Sequence, residues 1–234
     1  MSDKYSSTQQ IILASQSPRR AAILQALGVS YAIVVSDAEE VFHFPPVTLQ
    51  NRIPVLAIAA DDHPVVRAWR KGNHVAQQYP EAVVLAADTI VVCDTQVLNK
   101  PVDVADALRM LSLLAGRSHD VYTGMVLFAP AHEPIFWVEA SRVAMRELNP
   151  DEMQRYVDTG EPMDKAGSYG IQGIAGSLVT AVIGSFTNVV GLPLEATISL
   201  LRTVGIQVPI SAADAYSSWR VAHPLLRSDL GNQP

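Results

Sequence analysis

Five short stretches carry residue types that could act on a charged substrate. In Ser15-Gln16-Ser17-Pro18-Arg19-Arg20, a serine followed by proline reads as a helix cap and first helical position. The unpaired amides of a first turn, and the positive end of the helix dipole, attract an anion. Two arginines there oppose the dipole, a local cost that a bound anion would offset. Arginine also suits phosphate oxygens, because its planar fork donates two parallel hydrogen bonds. On the residues alone, two solvated surface arginines explain the stretch equally well. Asp88 stands within the apolar run VVLAADTIVV. A lone carboxylate in such a strand is costly unless a cation, a metal or a hydrogen-bond donor meets it. Thr89 then points to the opposite face. The alternative is a strand that ends at Ala87 and leaves Asp88 in a turn.

Three further stretches are weaker singly. Lys100 precedes Pro101, so its backbone is extended and its ammonium can reach into a cleft, although most single lysines are surface charges. Asp37-Ala38-Glu39-Glu40 follows a strand-like run and offers oxygen donors to a hard cation such as Mg²⁺, or else is a solvated acidic loop. Glu161-Pro162-Met163-Asp164-Lys165-Ala166-Gly167-Ser168-Tyr169-Gly170-Ile171-Gln172-Gly173 combines close-approach glycines with the Gln172 amide, which can read a base edge.

The elements that must position these residues follow from period and punctuation. Residues 11–15 and 31–35 read as strands around a helix that starts at Ser17-Pro18 and ends at Gly28. Residues 36–64 are broken by four prolines, at 45, 46, 54 and 64, and read as loop with a short helical piece. Helices are expected at 65–78, 104–115, from Asn149-Pro150 to about Gly160, and at 194–204. Strands are expected at 83–92, 121–128, 135–145 and 178–183, with 83–92 central and covered on both faces. Residues 161–177 read as loop. Alternating strands and helices argue for an α/β domain.

Composition limits the partners. The 234 residues are 49% hydrophobic and 17% charged, enough for a core without staples. Seventeen Lys and Arg against 23 Asp and Glu give a net charge of −6, so no nucleic-acid partner is expected and any anion site is a local cluster. No apolar run approaches the roughly 18–20 residues that span a bilayer, so no membrane partner is expected. Cys93 is the only cysteine, which excludes an intramolecular disulfide. Residues 1–10 read as a disordered lead-in without a signal-peptide core, so a cytoplasmic location is expected. The six histidines show no HExxH spacing, and neither a Walker A loop nor a GxGxxG fingerprint is present.

In order along the chain, LASQSPRR at 13–20, AADTIVV at 86–92, NKP at 99–101, AGRSHDVYTG at 115–124, EPMDKAGSYGIQG at 161–173 and NVVGLPL at 188–194 together resemble the Maf family of nucleotide pyrophosphatases, the septum-formation-inhibitor-like proteins. The resemblance implies an α/β fold with a twisted mixed sheet, flanking helices and a central cleft, like that of inosine triphosphate pyrophosphatases. It implies one catalytic domain over 11–205, with a longer segment at 41–66 and a variable tail at 206–234. The implied reaction is metal-assisted hydrolysis of a nucleoside triphosphate to monophosphate and pyrophosphate. The DKAGxYGIQG form resembles the subgroup acting on dTTP and UTP, with a house-cleaning role on nucleotide pools. Carried onto this chain, the family's proton acceptor is Asp88, and Arg19, Thr89 and Gln172 shape substrate choice. Ser15, Arg20, Glu40, Lys71, Lys100 and Lys165 match its cleft positions. Glu40 and Asp88 would hold Mg²⁺ or Mn²⁺. A homodimer is also implied. The competing expectation is a non-catalytic nucleotide-sensing or interaction protein linked to cell division, which would keep the anion cleft without turnover.

Overall fold

The computed structural model describes residues 10–35 and 44–222. The lead-in at 1–9 and the acidic stretch at 37–40, including Glu40, lie outside the described residues. The described residues form a mixed α/β fold. Seven strands make one sheet: β1 (Ile11–Leu13), β2 (Tyr31–Ile33), β3 (Val83–Cys93), β4 (Gln96–Leu98), β5 (Ser118–Phe128), β6 (Ile135–Met145) and β7 (Val179–Ile183). The order is β2-β1-β3-β5-β6-β7, with β4 paired to β3. The β2, β1 and β3 strands run parallel and the remaining pairs are antiparallel. Helices α1 (Pro18–Ala26), α2 (Val47–Gln50), α3 (Pro64–Gln78), α4 (Val104–Leu114), α5 (Pro150–Val157), α6 (Phe186–Val190), α7 (Leu194–Thr203) and α8 (Ala212–Val221) complete the described chain. Among the described residues, no helix is long and apolar enough to cross a membrane.

The period-2 pattern of β3 divides the core. Val83, Leu85, Ala87, Val91 and Cys93 enter a large cluster with Leu13, Ile23, Leu24 and Leu111. Val84 and Ala86 enter a smaller one with Ile12, Val65, Ala68, Trp69 and Phe128, beneath α3. The sheet has a gap beside the middle of β3. On one edge β1 pairs with it only as far as Leu13 opposite Leu85, and β4 begins only at Val91 opposite Leu98. On the other edge β5 pairs with it from Val84 to Val92. Asp88 and Thr89 fall inside that gap, so side chains from both faces of the sheet can reach one opening.

Sequence signals at the helix starts hold. Ser17 accepts from the Arg20 amide, and Asn149 and Glu152 form a reciprocal capping box. The expected loop at 161–177 contains three short 3-10 turns. The first part of the tail expected from 206 carries a helix. The α8 helix packs on α1 and α7, with Tyr216 and Trp219 buried against Phe186. Its signals are a cap, Ser211 with Asp214 three residues on, and an aromatic pair at i, i+3. Residues 223–234 lie outside the described residues.

Two glycines let α3 settle onto the sheet. A Cβ at Gly124, opposite Asp88 in β5, would lie 2.3 Å from the Val65 amide nitrogen. One at Gly72 would lie 2.5 Å from the Phe128 ring and 2.7 Å from the Ala86 Cβ. Gly124→Ala must displace backbone, so it is expected to lower stability by about 2 kcal/mol or more in urea unfolding. Gly72→Ala is expected to destabilise as well, despite a helix-propensity gain of about 1 kcal/mol. Unchanged urea midpoints for both would contradict this seating of α3.

Candidate active site

Asp88 continues the series Val84, Ala86 and therefore faces α3. Helix α3 begins at Pro64, capped by the His63 ring, whose Nδ1 accepts from the Val65 amide at 3.2 Å. Its buried stripe, Val65, Ala68, Trp69, Gly72 and Val75, lies on the sheet and leaves Lys71 at the rim of that contact. Lys71 Nζ donates to Asp88 Oδ1 at 2.7 Å, with both side chains less than one-fifth exposed. Asp88 Oδ2 is buried and has no hydrogen-bond partner. The apolar strand thus carries a carboxylate with one oxygen neutralised and the other left over.

Thr89 faces the other way, as strand alternation requires, and meets α1. Arg20 is buried, and its guanidinium donates to Gly191 O at 2.8 Å, Ser15 Oγ at 3.2 Å and Thr89 Oγ1 at 3.1 Å. Thr89 Oγ1 also bonds Thr123 Oγ1 at 2.9 Å. Arg20 therefore ties the start of α1 to β3 and to the NVVGLPL stretch. Its neighbour Arg19 is half-buried and lies 3.6 Å from the exposed Asp164 carboxylate. Burial alone would raise the Asp164 carboxyl, but Lys165 and Arg19 together hold it below its usual range.

Opposite them lies the Gly-rich loop. Lys165 Nζ donates to Glu161 O at 2.7 Å and to Asp164 Oδ1 at 2.6 Å. Gln172 is half-buried, and its Oε1 is buried without a hydrogen-bond partner. Lys100 is exposed on the rim, while Asn99 Oδ1 accepts from Arg67 at 2.7 Å. Asn99 O accepts from the Gly167 amide, which couples this turn to the loop.

Ser15, Arg19, Arg20, Lys71, Asp88, Thr89, Lys100, Lys165 and Gln172 all line one cleft of about 1510 Å³. The structure therefore brings together every sequence-derived site residue except Glu40, which lies outside the described residues. The cleft also holds Arg67 and Arg70, which are paired with Asp62 and Asp61 at 2.5 and 2.6 Å. Sequence reasoning passes over both arginines, although Arg67 and Lys71 at i, i+4 share a helix face. Seven Lys or Arg and five Asp or Glu line the cleft among the described residues, a positive surplus in a chain of net charge −6. Asp88 Oδ2, an unsatisfied hard oxygen, suits a divalent cation. No cluster of three or more His, Cys, Asp or Glu side chains stands ready for one among the described residues, so Asp88 would need oxygen donors from outside that set.

A cation-lined cleft with one half-free carboxylate, cut into a mixed α/β sheet, is the equipment of a protein that handles phosphorylated small molecules. This chain belongs to the family described as Maf-like protein, which matches residues 10–204. A dTTP/UTP pyrophosphatase of Symbiobacterium thermophilum is 43% identical over 202 residues, covering 86% of this chain and 96% of its own. One of Bordetella parapertussis is 43% identical over 209 residues, covering 86% and 95%. One of Myxococcus xanthus is 42% identical over 203 residues, covering 87% and 96%. Among solved structures, a HAM1 protein from Coxiella burnetii aligns over 83% of this chain and 99% of its own, at 16% identity and a TM-score of 0.45.

The loop that carries Gln172 has a buried anchor. His119 Nε2 lies 2.7 Å from Tyr169 Oη, and burial pushes the imidazole pKa down to about 4. The unfolded chain binds that proton near pH 6.5, so below that pH it takes up a proton the folded chain refuses. Stability is expected to be complete above pH 6.5 and to fall by about 3 kcal/mol as pH drops towards 4. His119→Gln should flatten this part of the profile, read as urea midpoints at pH 7 and 5. An equal acid loss in the variant would contradict the assignment.

Proposed function

We propose that the protein is a metal-assisted nucleoside triphosphate pyrophosphatase acting on dTTP and UTP. The observation that carries this reading is Asp88, with Oδ1 held by Lys71 and Oδ2 unpartnered, within a positively charged cleft. The names and high coverage of the curated relatives support it.

In this reading the triphosphate lies along Arg19, Lys71 and Lys100, with the Arg19 amide at the start of α1 as a further donor, since Pro18 has no N–H and the Arg20 amide is held by Ser17. Arg20 is the strut that holds that turn against Thr89. Asp88 Oδ2 takes a proton from a water whose oxygen attacks the α-phosphorus. The new bond is from water oxygen to phosphorus. The bond that breaks joins that phosphorus to the bridging oxygen, whose electron pair leaves with pyrophosphate. Cations along the chain stabilise the charge that develops there. Asp88, together with Glu40, would hold the divalent ion, which supplies charge neutralisation for the phosphoryl oxygens when bound. Gln172 reads the base: an amide N–H can donate to the 4-oxo group of uracil or thymine while its carbonyl accepts from N3–H.

A panel of nucleoside triphosphates, with phosphate and pyrophosphate both quantified, tests this directly. The expected products from dTTP and UTP are the monophosphate and pyrophosphate, with loss of turnover in EDTA. Release of orthophosphate alone would contradict the reaction. Tight binding without product, whatever divalent ion is supplied, would instead mark a nucleotide-sensing protein. Asp88→Asn is expected to lower kcat by about 10²–10⁴-fold with its circular dichroism unchanged. Arg19→Ala should raise KM for both nucleotides by about tenfold, the worth of one charge-assisted contact. Wild-type kinetics in either variant would remove that residue from the mechanism.

A further inference from the structure

Gln172 can discriminate bases only if its loop is held in one place, and the fastening on either side of it is one carboxylate, beyond the His119–Tyr169 anchor upstream. Tyr156 Oη donates to Glu161 Oε1 at 3.0 Å and accepts from the Gly170 amide at 3.2 Å. Glu161 Oε2 accepts from the Ile174 amide at 3.0 Å. The two oxygens therefore tie the loop down on either side of Gln172, directly at 174 and through Tyr156 at 170. The Gly173 amide closes the turn onto Gly170 O at 3.0 Å. The glycines record how tightly this is packed. A Cβ at Gly173 would lie 2.4 Å from both Glu161 oxygens, and one at Gly170 would lie 2.4 Å from Lys165 Cε. Burial, and then the nearby Glu161 charge, push the Tyr156 phenol well above its usual range, so it remains a hydrogen-bond donor at working pH.

We propose that Glu161, with Tyr156 behind it, is a positioning residue for base selectivity, holding the Gln172 loop so that the amide meets a 4-oxo pyrimidine in one orientation. This rests on the reading of Gln172 as the base-contacting group. Uracil and cytosine present reversed donor and acceptor patterns at position 4 and N3. An amide on a loosened loop can turn over and match either one. Loss of the strut therefore relaxes the choice between UTP and CTP, whereas a general loss of fold would depress both.

The test is kcat/KM for UTP and CTP in the wild type, Glu161→Gln, Tyr156→Phe, Gln172→Ala and the Glu161→Gln/Gln172→Ala double variant, with melting temperatures alongside. In Glu161→Gln the side-chain amide keeps one acceptor oxygen and no charge, so the two charge-assisted ties become at best two weaker neutral ones. Its UTP-over-CTP ratio is expected to fall by about tenfold, mostly through KM for UTP. Tyr156→Phe should move the ratio the same way by less. The double variant should be no less selective than Gln172→Ala alone, because both changes act on one contact. If Gln172→Ala collapses the ratio while Glu161→Gln and Tyr156→Phe keep it, the strut is overturned and the base reading stands. If Gln172→Ala itself leaves the ratio unchanged, the base reading fails and the strut with it. Should Glu161→Gln melt before assay temperature, Tyr156→Phe decides, since it keeps the ring: an unchanged ratio there overturns the proposal.

Discussion

Asp88 stands on the strand that feeds both cores, where an unpaired negative charge would cost several kcal/mol. Lys71 Nζ, 2.7 Å from Oδ1, makes the position tenable. That contact depends on how closely α3 lies on the sheet, and so on residues that do no chemistry. Gly124 admits the start of the helix and Gly72 its middle. Val65, Ala68 and Trp69 bury the face that turns Lys71 towards the strand. The ion pair leaves Asp88 Oδ2 unsatisfied, and this second oxygen is the group available to a proton or a cation.

The sheet supplies the rest of the geometry by being incomplete. Because β1 stops at Leu13 and the antiparallel β4 reaches only as far as Leu98, opposite Val91, the middle of β3 has a strand neighbour among the described residues only on the β5 side. Successive residues there point to opposite faces, yet both open into one cleft. Asp88 brings the α3 cations and Thr89 brings the arginine at the start of α1. Among the described residues, positive charge gathered from two layers and from the Gly-rich loop then outnumbers the acids lining the cleft, in a protein whose net charge is −6. A positive hollow of this kind favours a polyanionic ligand.

Much of this was legible in the residues because local rules decide it. Ser17-Pro18 and Asn149-Pro150 start helices where capping chemistry says they should, and the apolar run of β3 is buried on both faces. The opposite orientation of Asp88 and Thr89 follows from period 2 alone. What sequence reading passes over is tertiary. Arg20 stands beside Arg19 in the sequence, yet its guanidinium donates to Gly191 O, Ser15 and Thr89, contacts reaching up to 171 residues away that no local rule announces. The α8 helix carries a mixed pattern and becomes recognisable only when Tyr216 and Trp219 find Phe186. Glu161 is an ordinary loop acid until Tyr156 and Ile174 are seen on its two oxygens.

The central claim is that Lys71 and Asp88 act as one unit, the ammonium fixing the carboxylate so that its second oxygen can work. A double-mutant cycle on kcat/KM for UTP measures this, using Lys71→Met, Asp88→Asn and the double variant at one ionic strength. Coupling predicts a double variant no slower than the worse single variant, with a large interaction energy. Effects that simply multiply would mean that the two residues act independently, and would contradict the account.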